Sequence, residues 1–129
     1  MRRLQEEVSE LQDLVRSLSL SVQYGEAEPF EAFLTRHGIA GRRRSALHLT
    51  LDAVLARALG QDPHPLSAHA LEDLSEFADP LRQAGEPGPV TRGEALRILA
   101  QVVGSTELAE EALEAHRARG FALEAHAAL

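Results

Sequence analysis

Apolar residues recur at three- and four-residue steps along almost the whole chain, and no stretch alternates with period two through β-branched residues. That pattern predicts an all-α protein. Stop signals divide it into segments. A first helix runs from about Arg2 to Tyr24 and ends at Gly25. A second opens at Pro29, a favoured first-turn residue, carries Phe30, Phe33 and Leu34 on one face, and ends at Gly38 with Ile39 placed for the contact that follows a glycine cap. A third spans roughly Arg42 to Leu59, with Leu47, Leu51, Val54, Leu55 and Ala58 as its apolar stripe and Gly60 as its stop.

Gln61-Asp62-Pro63-His64-Pro65 is incompatible with a helix. Ser67 then reads as an N-cap with a Leu66/Leu71 staple, and the helix it opens is expected to kink or restart at Asp79-Pro80 before Gly85. Gly85 to Pro89 is the clearest loop. Thr91 and Glu94 form a capping box with Val90 and Ala95 as staple, opening a helix that runs to Val103 and stops at Gly104. Ser105 caps the next helix, with Leu108, Ala112 and Leu113 on its stripe. After Gly120, Phe121 to Leu129 forms a last short helix. The expectation is a single domain, 1–129, built as a compact bundle of six to seven helices. It comprises a leading helix (1–24), a helical hairpin (29–60), a Pro/Gly-rich connector with a short helix (61–90) and C-terminal helices (91–129).

The leading helix has the most specific pattern. Leu4, Val8, Leu11, Val15, Leu18 and Val22 form a heptad with Val at a and Leu at d, a combination that favours a parallel two-stranded coiled coil. Leu14 and Leu20 lie outside that seam and widen the stripe, as in a helix that packs on more than one neighbour. The competing reading is an intramolecular bundle helix. Homodimerisation through these six positions is the favoured expectation.

Composition narrows the chemistry. Of 129 residues 44% are hydrophobic but only 4% aromatic, so the core is aliphatic and platforms for stacking bases are scarce. There is no Cys, which removes disulfides, thiolate nucleophiles and Cys-ligated zinc. No apolar run approaches the ~18 residues needed to span a bilayer, and the N-terminus lacks the apolar core of a signal peptide, so a cytoplasmic protein with no membrane partner is expected. The net charge of −7 resides entirely in residues 61–129, where five Arg face twelve acids; residues 1–60 are balanced. A generic polyanion-binding surface is disfavoured in that half.

Arg42, Arg43 and Arg44 open the third helix, where the macrodipole favours acids instead. They are candidate contacts for an anion or an acidic partner; the alternative is a solvated cluster answered by the acidic C-terminal half. The Gly104-Ser105 turn resembles that of a helix-turn-helix. The following helix, however, presents Glu107, Glu110, Glu111 and Glu114, which phosphates would repel, so groove binding is rejected. The six histidines, His37, His48, His64, His69, His116 and His126, show no metal-ligand spacing, although His48/Asp52 and His69/Asp73 each share a helix face. No phosphate-cradling loop, nucleophile elbow or catalytic triad spacing occurs, so no catalytic residue, metal or cofactor is expected.

Taken end to end, the chain resembles the YhaI-like family of small helical bacterial proteins of unknown function. The likeness rests on the opening heptad, Glu28-Pro29-Phe30 through Leu34, Gly38-Ile39, Val90-Thr91 with Leu96, Leu99 and Gly104, Ala115 to Gly120, and Phe121-Ala122-Leu123-Glu124. The stretch from Gln61 to Gly88 departs from it as an insertion. The resemblance implies a compact helical fold with a leading coiled helix and supplies no activity. The favoured function is a non-enzymatic interaction or regulatory module with an unknown protein partner. The alternatives are a nucleic-acid-associated regulator using Arg42 to Arg44, and a small enzyme whose site is assembled by folding.

Overall fold

The computed structural model describes residues 28–120 and 122–129. The heptad positions Leu4, Val8, Leu11, Val15, Leu18 and Val22 lie outside the described residues. Within them the chain is all-α, with no strand: α1 (Pro29–Arg36), α2 (Gly41–Ala58), α3 (Ala68–Asp73), a 3₁₀ turn (Ser75–Phe77), α4 (Ala78–Ala84), α5 (Arg92–Val103), α6 (Thr106–Ala118) and α7 (Leu123–Ala128).

The helix ends follow from local chemistry. α1 starts with Pro29 in its first turn and closes in a Schellman motif. The Ile39 N–H bonds the Leu34 carbonyl at 2.9 Å and the Gly38 N–H bonds that of Thr35 at 3.2 Å, with Gly38 at φ +63°. Ile39 is buried, which supplies the apolar half of the motif. Side-chain caps are formed by Ser67 (from the Ala70 N–H), Thr91 (from Glu94) and Ser105 (from Leu108), each as expected. Gly104, at φ +108°, ends α5.

Two expectations need correction. The helix opened by Ser67 restarts beside Asp79-Pro80 as expected, at Ala78, but it has already broken at Leu74, giving α3, the 3₁₀ turn and then α4. Pro80 lies inside the first turn of α4, where its missing N–H is no loss, so the proline helps start a helix. The described residues therefore already hold seven α-helices. The apolar stripe of α2 also differs. Thr50 and Arg57 are buried along with Ala46, Leu47, Leu51, Val54 and Leu55, whereas Ala58 is only half-buried.

α5 and α6 pack against each other, with α6 also against α1, and α5 against α2 and α4. The main core joins Phe30, Phe33 and Leu34 of α1 to Leu47 and Leu51 of α2, Leu99 and Val102 of α5, and Ala112 and Leu113 of α6. A smaller cluster, Val54, Ala84, Val90, Ala95 and Ile98, ties α2 to α4 and α5. α7 packs on α2 and α6, and Leu129 just beyond it touches both clusters. No described helix is long and apolar enough to cross a membrane.

Candidate functional site

Arg42, Arg43 and Arg44 are neighbours in sequence and diverge in space. Arg42 Nε lies 2.6 Å from a Glu76 carboxylate oxygen in the 3₁₀ turn. Arg43 Nε donates to the Val102 carbonyl at 3.0 Å, placing a cation on the C-terminal turn of α5, where the macrodipole favours one. Arg44 forms a two-pronged pair with Glu31 on α1, at 2.7 and 3.2 Å. Each side chain thus ties α2 to a different element. Of these partners, Glu76 is the acid that comes from the C-terminal half.

The carboxylates of α6 take the opposite course. Glu107, Glu110, Glu111 and Glu114 are all exposed, at a spacing that gathers them on the outer face, while Ala109, Ala112 and Leu113 turn into the core. Glu111 receives Arg36 at 3.4 Å and His37 at 3.3 Å; Glu114 receives Arg117 at 3.2 Å and Arg92 at 3.9 Å. Glu107 and Glu110 complete the row. These are exposed pairs in high dielectric and hold little energy, so they leave the carboxylates free to exchange partners.

The histidines divide sharply by environment. His69 pairs with Asp73 at 3.2 Å in an exposed i,i+4 contact. His48, His116 and His126 gather instead around α1, α2, α6 and α7. The Phe30 ring meets His48 and His116 edge-on at 5.5 and 5.2 Å, and the Arg119 guanidinium lies 5.6 Å from its centroid. His116 Nδ1 and His126 Nε2 face each other at 2.9 Å, with both residues only 8% exposed. Burial lowers the pKa of all three imidazoles, and for His116 the added repulsion from His126, Arg119 and His48 brings it to about 4. Among the described residues, no group of three or more His, Asp or Glu side chains converges as a metal site.

An open groove of about 340 Å³ lies between α2, the 61–67 connector, α3 and α4. Leu49, Ala53, Leu66, Leu71 and Leu81 line its apolar wall, Asp52 and Arg82 bring charge to it, and His64 adds a polar ring. The Leu66/Leu71 staple pair is therefore part of a groove wall as well as a helix start.

The chain matches no protein-family model, no curated protein and no solved structure. The site must be read from its own geometry.

Two constellations escape sequence reasoning. One is the His116–His126 pair, two residues that flank the Gly120 turn and so meet when α7 folds back on α6. The other is Arg57, 5% exposed, which donates to the carbonyls of Gly88 (2.8 Å), Gln83 (3.0 Å) and Pro89 (3.3 Å). An arginine placed among the apolar positions of α2 is the one signal of it in the sequence. Its partners are backbone atoms, which carry no signature there.

Proposed function

We propose that this chain is a non-enzymatic protein–protein interaction or regulatory module of the YhaI-like kind, homodimeric through the 4–22 helix, that meets a basic partner with its acidic C-terminal half. The observation that carries this reading is the exposed carboxylate row of α6, which lies outside the core on a helix whose other face is buried. The nucleic-acid alternative loses support from the arginines, because each of the three guanidinium groups already has an ion-pair or hydrogen-bond partner within the chain. Without a shared face they make a poor phosphate cradle.

Two measurements test the reading. Light scattering at micromolar concentration should return twice the chain mass, and a monomer would end the dimer claim. Affinity capture from the native host should lose its specific protein when Glu107 and Glu110 are both changed to Lys; unchanged capture would remove α6 as the contact surface.

A further inference from the structure

The buried histidine pair is more than a packing detail, because its hydrogen bond limits how many protons it can hold. Two neutral imidazoles facing through Nδ1 and Nε2 at 2.9 Å share one hydrogen: one ring donates and the other accepts. A first added proton must go to an outward nitrogen, which preserves the shared bond but places a cation in a buried site. A second proton leaves N–H groups on both facing nitrogens, and the bond becomes a repulsion.

The surroundings oppose even the first proton. His116 on α6 faces His126 from α7, His48 from α2 and Arg119 from the end of α6, and sits edge-on to Phe30 of α1. His126 faces Arg117 and Glu114 of α6 and Arg92 of α5. Glu114 is the one acid among these neighbours; Asp52 and Glu31 act on the more distant His48. Each histidine also lies in the last turn of its helix, where the macrodipole favours a cation. That effect acts against the burial and the surrounding positive charge, which lower the pKa of both residues.

What the pair holds is α7, a six-residue helix. α7 follows Ala122, whose backbone is left-handed at φ 54° and ψ 37°, a conformation alanine rarely adopts. Its buried residues are Ala125 and His126, and Leu129 follows against both core clusters. A helix this short has no stability of its own and depends on docking.

We propose that His116 and His126 form a proton-operated latch, which keeps α7 docked on α2 and α6 while both buried rings are neutral and share their hydrogen bond, and releases it when the pair takes up protons. The sign follows from the depressed values. The docked state binds protons less well than the released state, so docking is fully present above pH 6.5 and weakens as the pH falls towards 4. At pH 5, His116 alone favours the released form by about thirty-fold relative to pH 7.5.

The test follows backbone amide exchange by NMR between pH 7.5 and pH 5, corrected for intrinsic rates, alongside the imidazole resonances of both histidines. Amides of α7 should be less protected than those of Leu99 to Val103 at every pH. Their protection should fall about thirty-fold by pH 5 as the histidines titrate. In the pair His116→Asn with His126→Gln, whose amides can keep one hydrogen bond but cannot take up the proton, that fall should vanish. If α7 exchanges only as slowly as Leu99 to Val103, or stays protected while both histidines become charged, the latch is refuted. Both of those outcomes are read on the native protein, so they decide the matter even where the substituted pair does not dock.

Discussion

α2 carries a withdrawn arginine near each end, and the two are stabilised in opposite ways. Arg44 is neutralised by a carboxylate: Glu31 meets it through two contacts, joining α2 to α1. Arg57 donates its hydrogen bonds to backbone carbonyls, so it remains a buried cation solvated by dipoles. Its position in the last turn of α2 adds the favourable end of that helix's own dipole. The ion pair joins two side chains and leaves both backbones independent. The carbonyl cage fixes the backbone itself, because Gln83, Gly88 and Pro89 must hold particular orientations to reach one planar guanidinium. One arginine thus connects helices, and the other sets a loop.

Substitutions should separate these two modes. The largest effect is expected from Arg57→Met, which keeps much of the volume and leaves three carbonyls without their donor. It should lower the unfolding free energy by about 3 kcal/mol in urea titrations. Arg57→Lys should recover only part, since an ammonium cannot span the same fork. A loss under ~1 kcal/mol would mean that the loop holds without its arginine.

Acid comes next. With the His116 pKa lowered to about 4, moving from pH 7.5 to 5 should cost about 2 kcal/mol of stability in the same titration, and almost nothing should change between pH 7.5 and 9 from this source. Glu31→Gln strands Arg44 beside a neutral amide and should cost about 1–2 kcal/mol, whereas replacing both Glu31 and Arg44 by Leu should cost less than the two single changes together. A strictly additive cycle would show that the pair is not coupled.

Ser105→Ala and Thr91→Ala should each cost about 1 kcal/mol, giving the scale of one local cap. Arg82→Ala breaks an exposed pair with Asp79 and should fall within about 0.5 kcal/mol of the parent. That small effect is informative, because it shows that withdrawal from water, rather than ion pairing itself, gives Arg44 its energetic weight.

What is legible in the sequence and what is not follow the same division. Ser67, Thr91, Ser105, Gly38 and Gly104 act on neighbours within a few residues, so their roles can be read from residue type and spacing alone. The break at Leu74 has no such marker, whereas the restart beside Asp79-Pro80 is legible because proline suits the first turn of a helix. The arginine triplet is legible as a cluster of charge. Its division among Glu76, Val102 and Glu31 depends on how α1, α5 and the 3₁₀ turn are arranged around α2, which periodicity does not encode. Periodicity likewise favours Ala58 on the apolar stripe of α2, where the core face in fact turns to Arg57. The histidine pair exists only because α7 reverses onto α6.

Arg57 has a further consequence, for how this chain tolerates change. Its hydrogen bonds to Gln83, Gly88 and Pro89 span 26, 31 and 32 positions, closing a long excursion in a protein that has no cysteine to close it covalently. The entropy of closing such an excursion grows only with the logarithm of its length, about 0.6 kcal/mol for each doubling. Residues can therefore be gained or lost between Gln61 and Ser67 at little thermodynamic penalty, provided the guanidinium and its carbonyls still meet. The connector is thus the segment whose length matters least, a strap held by a non-covalent clasp.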